Sequence, residues 1–417
     1  MEENARYSVG VDVGTNTVRA VMARHEKDGG LTVVGYGEAP SEGIRRGRVK
    51  ELSAPTAPII SCLRAIEGMS GIEVTNAIIN INGSHIASTK VDGMVTVGGA
   101  DNIVSEEDVE RITEAAIAGK MPRNREILML VPYEYILDGQ GGIREPLGMH
   151  GMRLDIRANV ISALGPDYDN MRKLFQNNDV NVAVDIVEPN VTAAARAVLT
   201  SRQMENGVAV VDMGGATTGV AIYDEGELQF VGVVPIGSND ITNDLATVLM
   251  TVPEVAEEIK LRFASASFGQ NDKDVVIKRG REEYKFSRQD VDEVVEARLE
   301  EIFEGVRKML KLAGYDRRLP EGVVLVGGGS KLRDVADYAR KQMEVAVRLG
   351  QVEGIQGVSE EVMKPEYAAV IGLVKMGAME PANTPSDSGE KKRKKKTKSK
   401  QKKSSGGWFS DFLKNFS

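Results

Sequence analysis

Two similar turns, 200 positions apart, constrain the fold of this chain more than any other feature of its sequence. The first covers residues 12–17 (DVGTNT) and the second covers residues 212–218 (DMGGATT). Each turn follows an apolar strand-like run and precedes another, with aspartate before the glycine and threonine after it. One such turn could be an ordinary glycine turn, but two copies predict two related halves of an α/β protein that grip one ligand from both sides.

The residue types in the two turns suit a bound phosphate group. Glycine lets a backbone amide approach a phosphate with no side chain in the way, and threonine adds a hydroxyl donor. An aspartate at the end of a strand can hold Mg²⁺ directly or through water. The predicted metal ligands are Asp12 and Asp212. The predicted phosphate contacts are Gly14, Thr15, Asn16, Thr17, Gly214, Gly215, Ala216, Thr217 and Thr218.

A third glycine-rich segment follows the apolar run 323–326 (VVLV). Its glycines would let a base or a ribose lie close to the backbone, although a plain connection between a strand and a loop could have the same composition. The predicted nucleoside contacts in this segment are Gly327, Gly328, Gly329 and Ser330. Together, the three segments predict that a nucleotide with Mg²⁺ binds between the two halves.

The charges are divided between an acidic body and a basic end. The net charge of the chain is −8, and residues 391–417 contain eleven lysine or arginine residues and one acid. The other 390 residues therefore carry a net charge of −18. This division predicts that the end of the chain, and not its body, contacts anionic surfaces.

The last ten residues predict a short membrane-binding helix. At about 100° per residue, five apolar side chains would fall within an arc of about 140° on one helical face. Such a helix behind a basic run is typical of reversible attachment to anionic lipids. The alternatives are a helix that docks into a groove of a partner protein and a solvated, frayed chain terminus. Nucleic acid is disfavoured, because aromatic residues that stack on bases would be interleaved with basic ones. The predicted membrane contacts are Trp408, Phe409, Phe412, Leu413 and Phe416.

Three features of the sequence predict a cytoplasmic protein. The first residues contain no apolar leader, and no run of about 18 apolar residues could span a bilayer. A single cysteine, Cys62, fits a reducing compartment. With the terminal helix, these features predict a peripheral protein on the cytoplasmic face of the cell membrane.

The three glycine-rich segments resemble the nucleotide-binding motifs of the actin superfamily of ATPases. This resemblance implies that the nucleotide is ATP with Mg²⁺. Within that superfamily the chain is most similar to the FtsA family of bacterial cell-division proteins. Residues 43–49 (GIRRGRV) and 237–246 (GSNDITNDLA) resemble that family, and the region 84–161 lies where the family carries an inserted subdomain. The resemblance covers nearly all of residues 7–378 and the tail.

The resemblance implies an α/β fold of duplicated actin-like (ribonuclease H-like) domains. It also implies a small inserted α+β subdomain and a C-terminal amphipathic helix. The first half would comprise 1–83, the insertion 84–163, a return to the first half with a connecting helix 164–203, and a last return 351–378. The second half would comprise 204–245 and 313–350, with its smaller subdomain at 246–312. A disordered basic linker (379–407) would precede the membrane helix (408–417).

The resemblance also implies roles for individual residues near the nucleotide. Glu188 would orient the attacking water and would form the catalytic set with Asp12 and Asp212. Glu257 and Lys260 would contact the nucleoside.

Two positions depart from the superfamily pattern. Ala216 replaces a usual glycine, and Gly219 stands where many members have an acid. Because these changes alter the charge around metal and water, we expect nucleotide binding to persist and hydrolysis to be slow, and enzymatic activity stays open.

The resemblance finally implies a role in cell division. The chain would self-associate at the division site, hold FtsZ filaments at the membrane and recruit other division proteins. Arg298 would help to bind the acidic C-terminal peptide of FtsZ. The alternatives are a scaffold similar to the pilus-assembly protein PilM and a small-molecule kinase of the same superfamily.

We expect Trp408→Glu to release the protein from anionic liposomes, because it places a charge on the apolar face of the predicted helix. Co-sedimentation with liposomes measures the effect. Ser410→Glu, which adds the same charge about 60° beyond the edge of the predicted apolar arc, is the matched control. Unchanged co-sedimentation of the Trp408 variant would rule out the predicted membrane contact.

Overall fold

The structure is a computed structural model that describes residues 6–269, 273–280, 282–357 and 360–379. The first 76 described residues form most of one sheet and a helix. These elements are β1 (Tyr7–Val13), β2 (Thr17–His25), β3 (Leu31–Pro40), β4 (Ile44–Arg45), β5 (Arg48–Val49), α1 (Thr56–Ser70) and β6 (Asn76–Ile81).

The inserted region follows β6. Its elements are β7 (Ala87–Thr96), α2 (Glu106–Ile117), β8 (Arg125–Leu137), β9 (Gln140–Ile143) and β10 (Arg153–Leu164). The strands pair in the order β7-β10-β8-β9. Helix α2 begins with a capping box, in which the Ser105 hydroxyl accepts from the Asp108 amide and the Asp108 carboxylate accepts from the Ser105 amide.

The chain then returns to the first sheet and crosses to the second half. This part consists of α3 (Gly165–Gln176), β11 (Ala183–Pro189), α4 (Asn190–Val198) and α5 (Ser201–Asn206). The first sheet has the order β11-β6-β1-β2-β3, in which β1, β2 and β3 are antiparallel while β6 and β11 run parallel to β1.

The second half repeats that plan. Its elements are β12 (Val208–Met213), β13 (Thr218–Asp224), β14 (Glu227–Val234), α6 (Ser238–Val248), α7 (Pro253–Arg262), β15 (Val275–Arg279), β16 (Glu282–Phe286), α8 (Arg288–Ala313), β17 (Val323–Val326), α9 (Val335–Met343), β18 (Val347–Leu349) and α10 (Ala368–Met379). Strands β12, β13 and β14 are antiparallel, and β17 and β18 run parallel to β12, in the order β14-β13-β12-β17-β18. The two sheets therefore share one topology, as the duplicated turns predicted.

The described residues divide into two compact units. One comprises residues 6–90, 122–133 and 158–377 and contains both five-stranded sheets. The described part of the other is mainly 91–121 and 134–157, where α2 packs so closely on β7 that a side chain at Gly93 would meet Ala116. Among the described helices, none combines the length and hydropathy needed to cross a bilayer.

Helices α4 and α10 pack against each other next to the first sheet. A Cβ on Gly372 of α10 would lie 1.7 Å from the carbonyl oxygen of Ala193 in α4, and one on Gly10 of β1 would lie 2.8 Å from the Val370 carbonyl oxygen. Helix α4 also contacts β12 and β13 of the second half. The small residues in α10 therefore allow the close helix contact that joins the two sheets.

We expect Gly372→Ala to destabilise the protein, although alanine is the better helix former, because the added methyl group has no room beside Ala193. The midpoint of thermal unfolding should fall by several degrees. Gly68→Ala in α1 is the matched control, because a Cβ there meets no atom within 4 Å, and it should leave the midpoint unchanged or raise it. Equal midpoints for the Gly372 variant and the wild type would contradict this account.

Candidate functional site

A cavity of about 170 Å³ lies where the two duplicated turns meet in the larger unit. It contains eleven of the predicted site residues: Asp12, Gly14, Thr15, Asn16, Thr17, Asp212, Gly214, Gly215, Thr217, Gly327 and Gly328. It is also lined by residues that sequence reasoning missed, including Arg19, Gly47, Asn80, Asn82, Asn190, Ser238 and Glu366. The sequence therefore located the main walls of the cavity and missed several of the polar groups between them.

The two turns have the same local structure. The Gly14 amide donates to the Thr17 carbonyl oxygen at 3.1 Å, and the Gly214 amide donates to the Thr217 carbonyl oxygen at 2.9 Å. A Cβ at Gly14 would lie 2.7 Å from the Thr17 oxygen, and a Cβ at Gly214 would lie 3.0 Å from the Thr217 oxygen. A side chain would therefore clash at Gly14 and would be crowded at Gly214.

Two asparagine side chains connect the predicted metal ligands. Asn80 Nδ2, at the end of β6, donates to Asp12 Oδ1 at 2.6 Å and to Asn190 Oδ1 at 2.8 Å. Asn190 Nδ2, at the start of α4, donates to Asp212 Oδ2 at 2.6 Å. The two carboxylates are therefore joined through amide groups that donate to each of them.

Burial makes both carboxylates hard to ionise. Asp12 and Asp212 are each 6% exposed. Burial raises the pKa of Asp12 to about 7, with Arg19 opposing the shift and the charge of Asp212 adding to it. Burial likewise raises the pKa of Asp212, against the hydrogen bond from Asn190. A cation beside them would favour their charged forms, and their oxygen atoms are ligands that Mg²⁺ accepts.

Arg19 is the one cation among the described residues that line the cavity. It lies directly across from Asp12 in the pairing of β1 and β2. Its Nε donates to Glu38 Oε2 at 2.8 Å, and its guanidinium lies 5.1 Å from the centre of the Tyr367 ring. These contacts keep a positive charge near the two aspartates.

A reciprocal amide pair links the first turn to the second half. Asn16 Nδ2 donates to Asn239 Oδ1 at 2.7 Å, and Asn239 Nδ2 donates to Asn16 Oδ1 at 2.6 Å. The Asn239 amide in turn donates to the Gly215 carbonyl oxygen at 2.6 Å. The phosphate-type turns are therefore held together by hydrogen bonds at the edge of the cavity.

Several predicted site residues lie outside this cavity and support its walls. The Thr218 hydroxyl donates to the Ile236 carbonyl oxygen, and the Ser330 hydroxyl donates to the Gly327 carbonyl oxygen. Ala216 and Gly329 are packed tightly, since a Cβ on Gly237 would meet the Ala216 amide and one on Gly329 would meet Met213.

Glu257 and Lys260 lie one layer behind the cavity wall. Lys260 Nζ donates to the carbonyl oxygen of Ser238, a lining residue, at 3.2 Å and to Thr242 Oγ1 at 2.9 Å. It also pairs with Glu257 at 2.7 Å. Their contact with a nucleoside stays a prediction.

Glu188 is not brought into the cavity, and Asn190 lines it instead. Glu188 is 2% exposed, accepts a hydrogen bond from the Thr192 hydroxyl at 2.7 Å and lies 3.8 Å from Arg196. Burial raises its pKa, which Arg196 opposes. The water-orienting role of Glu188 stays a prediction.

Arg298 lies on α8, where two acids hold its side chain. Its Nε donates to Asp244 Oδ2 at 2.7 Å, and another guanidinium nitrogen donates to Glu301 Oε2 at 2.5 Å. The predicted membrane contacts and residues 380–407 of the predicted linker lie outside the described residues, while Met379, where the linker was predicted to begin, ends α10.

Comparison with known proteins identifies the family. A family model described as "Cell division protein FtsA" matches residues 209–372, and one described as "SHS2 domain inserted in FTSA" matches residues 83–162. The cell division protein FtsA of Pseudomonas aeruginosa is 35% identical over 379 residues, which cover 90% of each chain. The chain belongs to the FtsA family of cell division proteins. FtsA of Neisseria meningitidis is 32% identical over 92% of this chain and 93% of its own length.

Solved structures confirm the fold of this FtsA-family chain. The PilM–PilN type IV pilus biogenesis complex matches with a TM-score of 0.63 at 16% identity, covering 89% of this chain and 98% of the other. MreB5 of Spiroplasma citri bound to ADP matches with a TM-score of 0.51 at 15% identity, covering 88% and 94%. At such identities the likeness shows the fold alone, which is the predicted actin-like fold with an inserted subdomain. The predicted domain boundaries and site residues stay predictions.

We expect Asp12→Asn to stabilise the ligand-free protein, and to do so most at high pH. The pKa of Asp12 is about 7 in the folded protein and about 3.9 in an unfolded chain. The stability that comes from its proton is therefore fully present below about pH 4 and is lost as the pH rises through 7.

Thermal unfolding between pH 4.5 and pH 8 measures this effect without nucleotide or Mg²⁺. The difference in midpoint between Asp12→Asn and the wild type should grow across that range. Asp28→Asn, at an exposed turn, controls for the loss of one surface carboxylate. A constant difference between the Asp12 variant and the wild type would show that the raised pKa of Asp12 has been assigned wrongly.

Proposed function

We propose that this chain binds ATP with Mg²⁺ between its two halves, self-associates on the cytoplasmic face of the membrane and tethers FtsZ filaments there. One observation carries the proposal: two phosphate-type turns from the duplicated halves converge on a single cavity in a member of the FtsA family.

The charges of the cavity favour a nucleotide that arrives with a divalent cation. Three acidic residues (Asp12, Asp212 and Glu366) and a single arginine are the ionisable ones among the described residues that line the cavity, so the phosphates of ATP alone would meet mostly acidic side chains. Asp12 and Asp212 would hold Mg²⁺, which neutralises the phosphates when bound. The turn glycines would present backbone amides to the phosphates, and the hydroxyl groups of Thr15, Thr17 and Thr217 would donate hydrogen bonds to them. The structural likeness to an MreB5 bound to ADP fits this assignment.

Nucleotide in this cavity would act mainly as a conformational ligand. The phosphates would lie beside the Asn16–Asn239 pair, so their binding would bear directly on the hydrogen bonds that join the two halves. Glu188 is engaged with Thr192 and lies outside the cavity, which supports slow hydrolysis.

The region around Arg298 offers suitable chemistry for an acidic peptide. Arg298 already binds two carboxylates, and a carboxylate of the FtsZ peptide could replace one of them. Val248 lies one helical turn from Asp244 on α6 and is 51% exposed, so an apolar peptide side chain could pack beside the charge. The predicted terminal helix would then hold the complex at the membrane, and several subunits in a polymer would bind far more firmly than one.

We expect the full-length protein to carry FtsZ filaments onto anionic liposomes in the presence of Mg²⁺ and ATP. Arg298→Glu should abolish the recruitment of FtsZ while the variant itself stays on the liposomes, because it replaces the carboxylate-binding group by a carboxylate. Flotation of liposomes with both proteins, followed by quantification of each, measures this.

Lys308→Glu is the matched control, since Lys308 lies on the same helix, is exposed and pairs only with its helical neighbour Glu304 among the ion pairs described. Equal recruitment of FtsZ by the Arg298 and Lys308 variants would show that the peptide does not bind at Arg298. Failure of the wild type to recruit FtsZ would contradict the proposed tether.

A further inference from the structure

Glu366 lines the cavity and has one buried carboxylate oxygen without a partner among the described residues. It lies in a 3₁₀ turn (Pro365–Tyr367) immediately before α10, and its side chain is 10% exposed. Oε1 accepts from Lys331 Nζ at 2.6 Å. Oε2 is buried and has no hydrogen-bond partner among the described residues, and Glu366 lines the cavity.

The backbone places Glu366 beside the third glycine segment. The Gly327 amide donates to the carbonyl oxygen of Pro365 at 3.0 Å, so the residue before Glu366 is bonded to the loop after β17. Lys331, the partner of Glu366, ends the 3₁₀ helix of that loop (Gly328–Lys331). A Cβ on Gly328 would meet no atom within 4 Å, which leaves open space on this side of the cavity.

The chemistry of a buried carboxylate limits what can bind there. An acceptor oxygen removed from water is costly unless a donor reaches it. A phosphate oxygen is also a negatively charged acceptor, so it would repel the carboxylate oxygen of Glu366. Lys331 already places a positive charge on the other oxygen of this carboxylate, so Glu366 does not need a metal ion to balance its charge. The ligand must then offer an N–H or O–H group.

We propose that Glu366 Oε2 accepts a hydrogen bond from the nucleoside part of the bound nucleotide and thereby sets nucleotide preference. This inference rests on the proposed binding of ATP in the same cavity. The donor is a ribose hydroxyl or the amino group of adenine, since both present the same hydrogen-bond chemistry. Lys331 occupies the other carboxylate oxygen and so leaves Oε2 as the acceptor available to a ligand.

Calorimetric titration of the full chain with Mg²⁺ and four nucleotides tests the proposal. The nucleotides are ATP, inosine triphosphate, which lacks the amino group, and the 2′-deoxy and 3′-deoxy forms of ATP. The wild type should bind at least one of the three analogues about tenfold or more weakly than ATP, because a buried acceptor loses its donor.

Glu366→Gln should remove that preference. If the glutamine oxygen takes the hydrogen bond from Lys331, its amide nitrogen faces the nucleoside as a donor. Affinity for ATP should fall, and the ratio for the discriminated analogue should shrink to within about threefold. Glu361→Gln is the matched control, because Glu361 also accepts from a lysine, Lys364, at 2.6 Å but does not line the cavity.

The outcomes separate this inference from the proposed function. Loss of the preference in the Glu366 variant but not in the Glu361 variant supports the inference. If the discriminated analogue is inosine triphosphate, the donor is the adenine amino group; if it is a deoxy form of ATP, the donor is a ribose hydroxyl. Wild-type affinities of the Glu366 variant for all four nucleotides would overturn it while ATP binding stands. A changed Mg²⁺ dependence with unchanged preference would also overturn it in favour of a cation ligand. Absence of binding by the wild type would overturn the proposed function and this inference together.

Discussion

Two buried carboxylates in one cavity govern the arrangement of the groups around them. Asp12 and Asp212 come from the two halves of the fold, and their like charges would be unfavourable without compensation. Asn80 and Asn190 donate to them, Arg19 lies across from Asp12, and the pKa of each carboxylate is raised. Ionisation of the two carboxylates is thus unfavourable in the ligand-free site, and a bound cation would favour their charged forms.

The duplicated halves are alike in topology but not in charge. The pairing of β1 with β2 sets Asp12 opposite Arg19, and the pairing of β12 with β13 sets Asp212 opposite Gly219. A side chain at Gly219 would lie 2.9 Å from Val191 of α4, so the connecting helix excludes one. This packing accounts for the glycine where many members of the superfamily have an acid. It also leaves the first half to supply the positive charge.

The local motifs were predictable because their chemistry is contained in a few adjacent residues. Aspartate, glycine and threonine at fixed spacing after an apolar strand identified both turns, and the repeat of that spacing predicted the duplicated fold. Asn80 and Asn190 could not be found this way, because each is a single amide at the end of an ordinary element and they lie 110 positions apart. Arg19 was missed because one charged residue in a strand usually indicates a solvated face.

The sequence by itself determined the α/β class, the two halves, the glycine-rich turns and the family, since periodicity and short motifs depend on neighbouring residues. Only the tertiary structure decided which polar side chains enter the cavity. It placed Asn190 there and left Glu188 bonded to Thr192, although the two lie two positions apart. The physical reason is that β11 ends and α4 begins between them, and the direction of a side chain at such a junction depends on packing from distant parts of the chain.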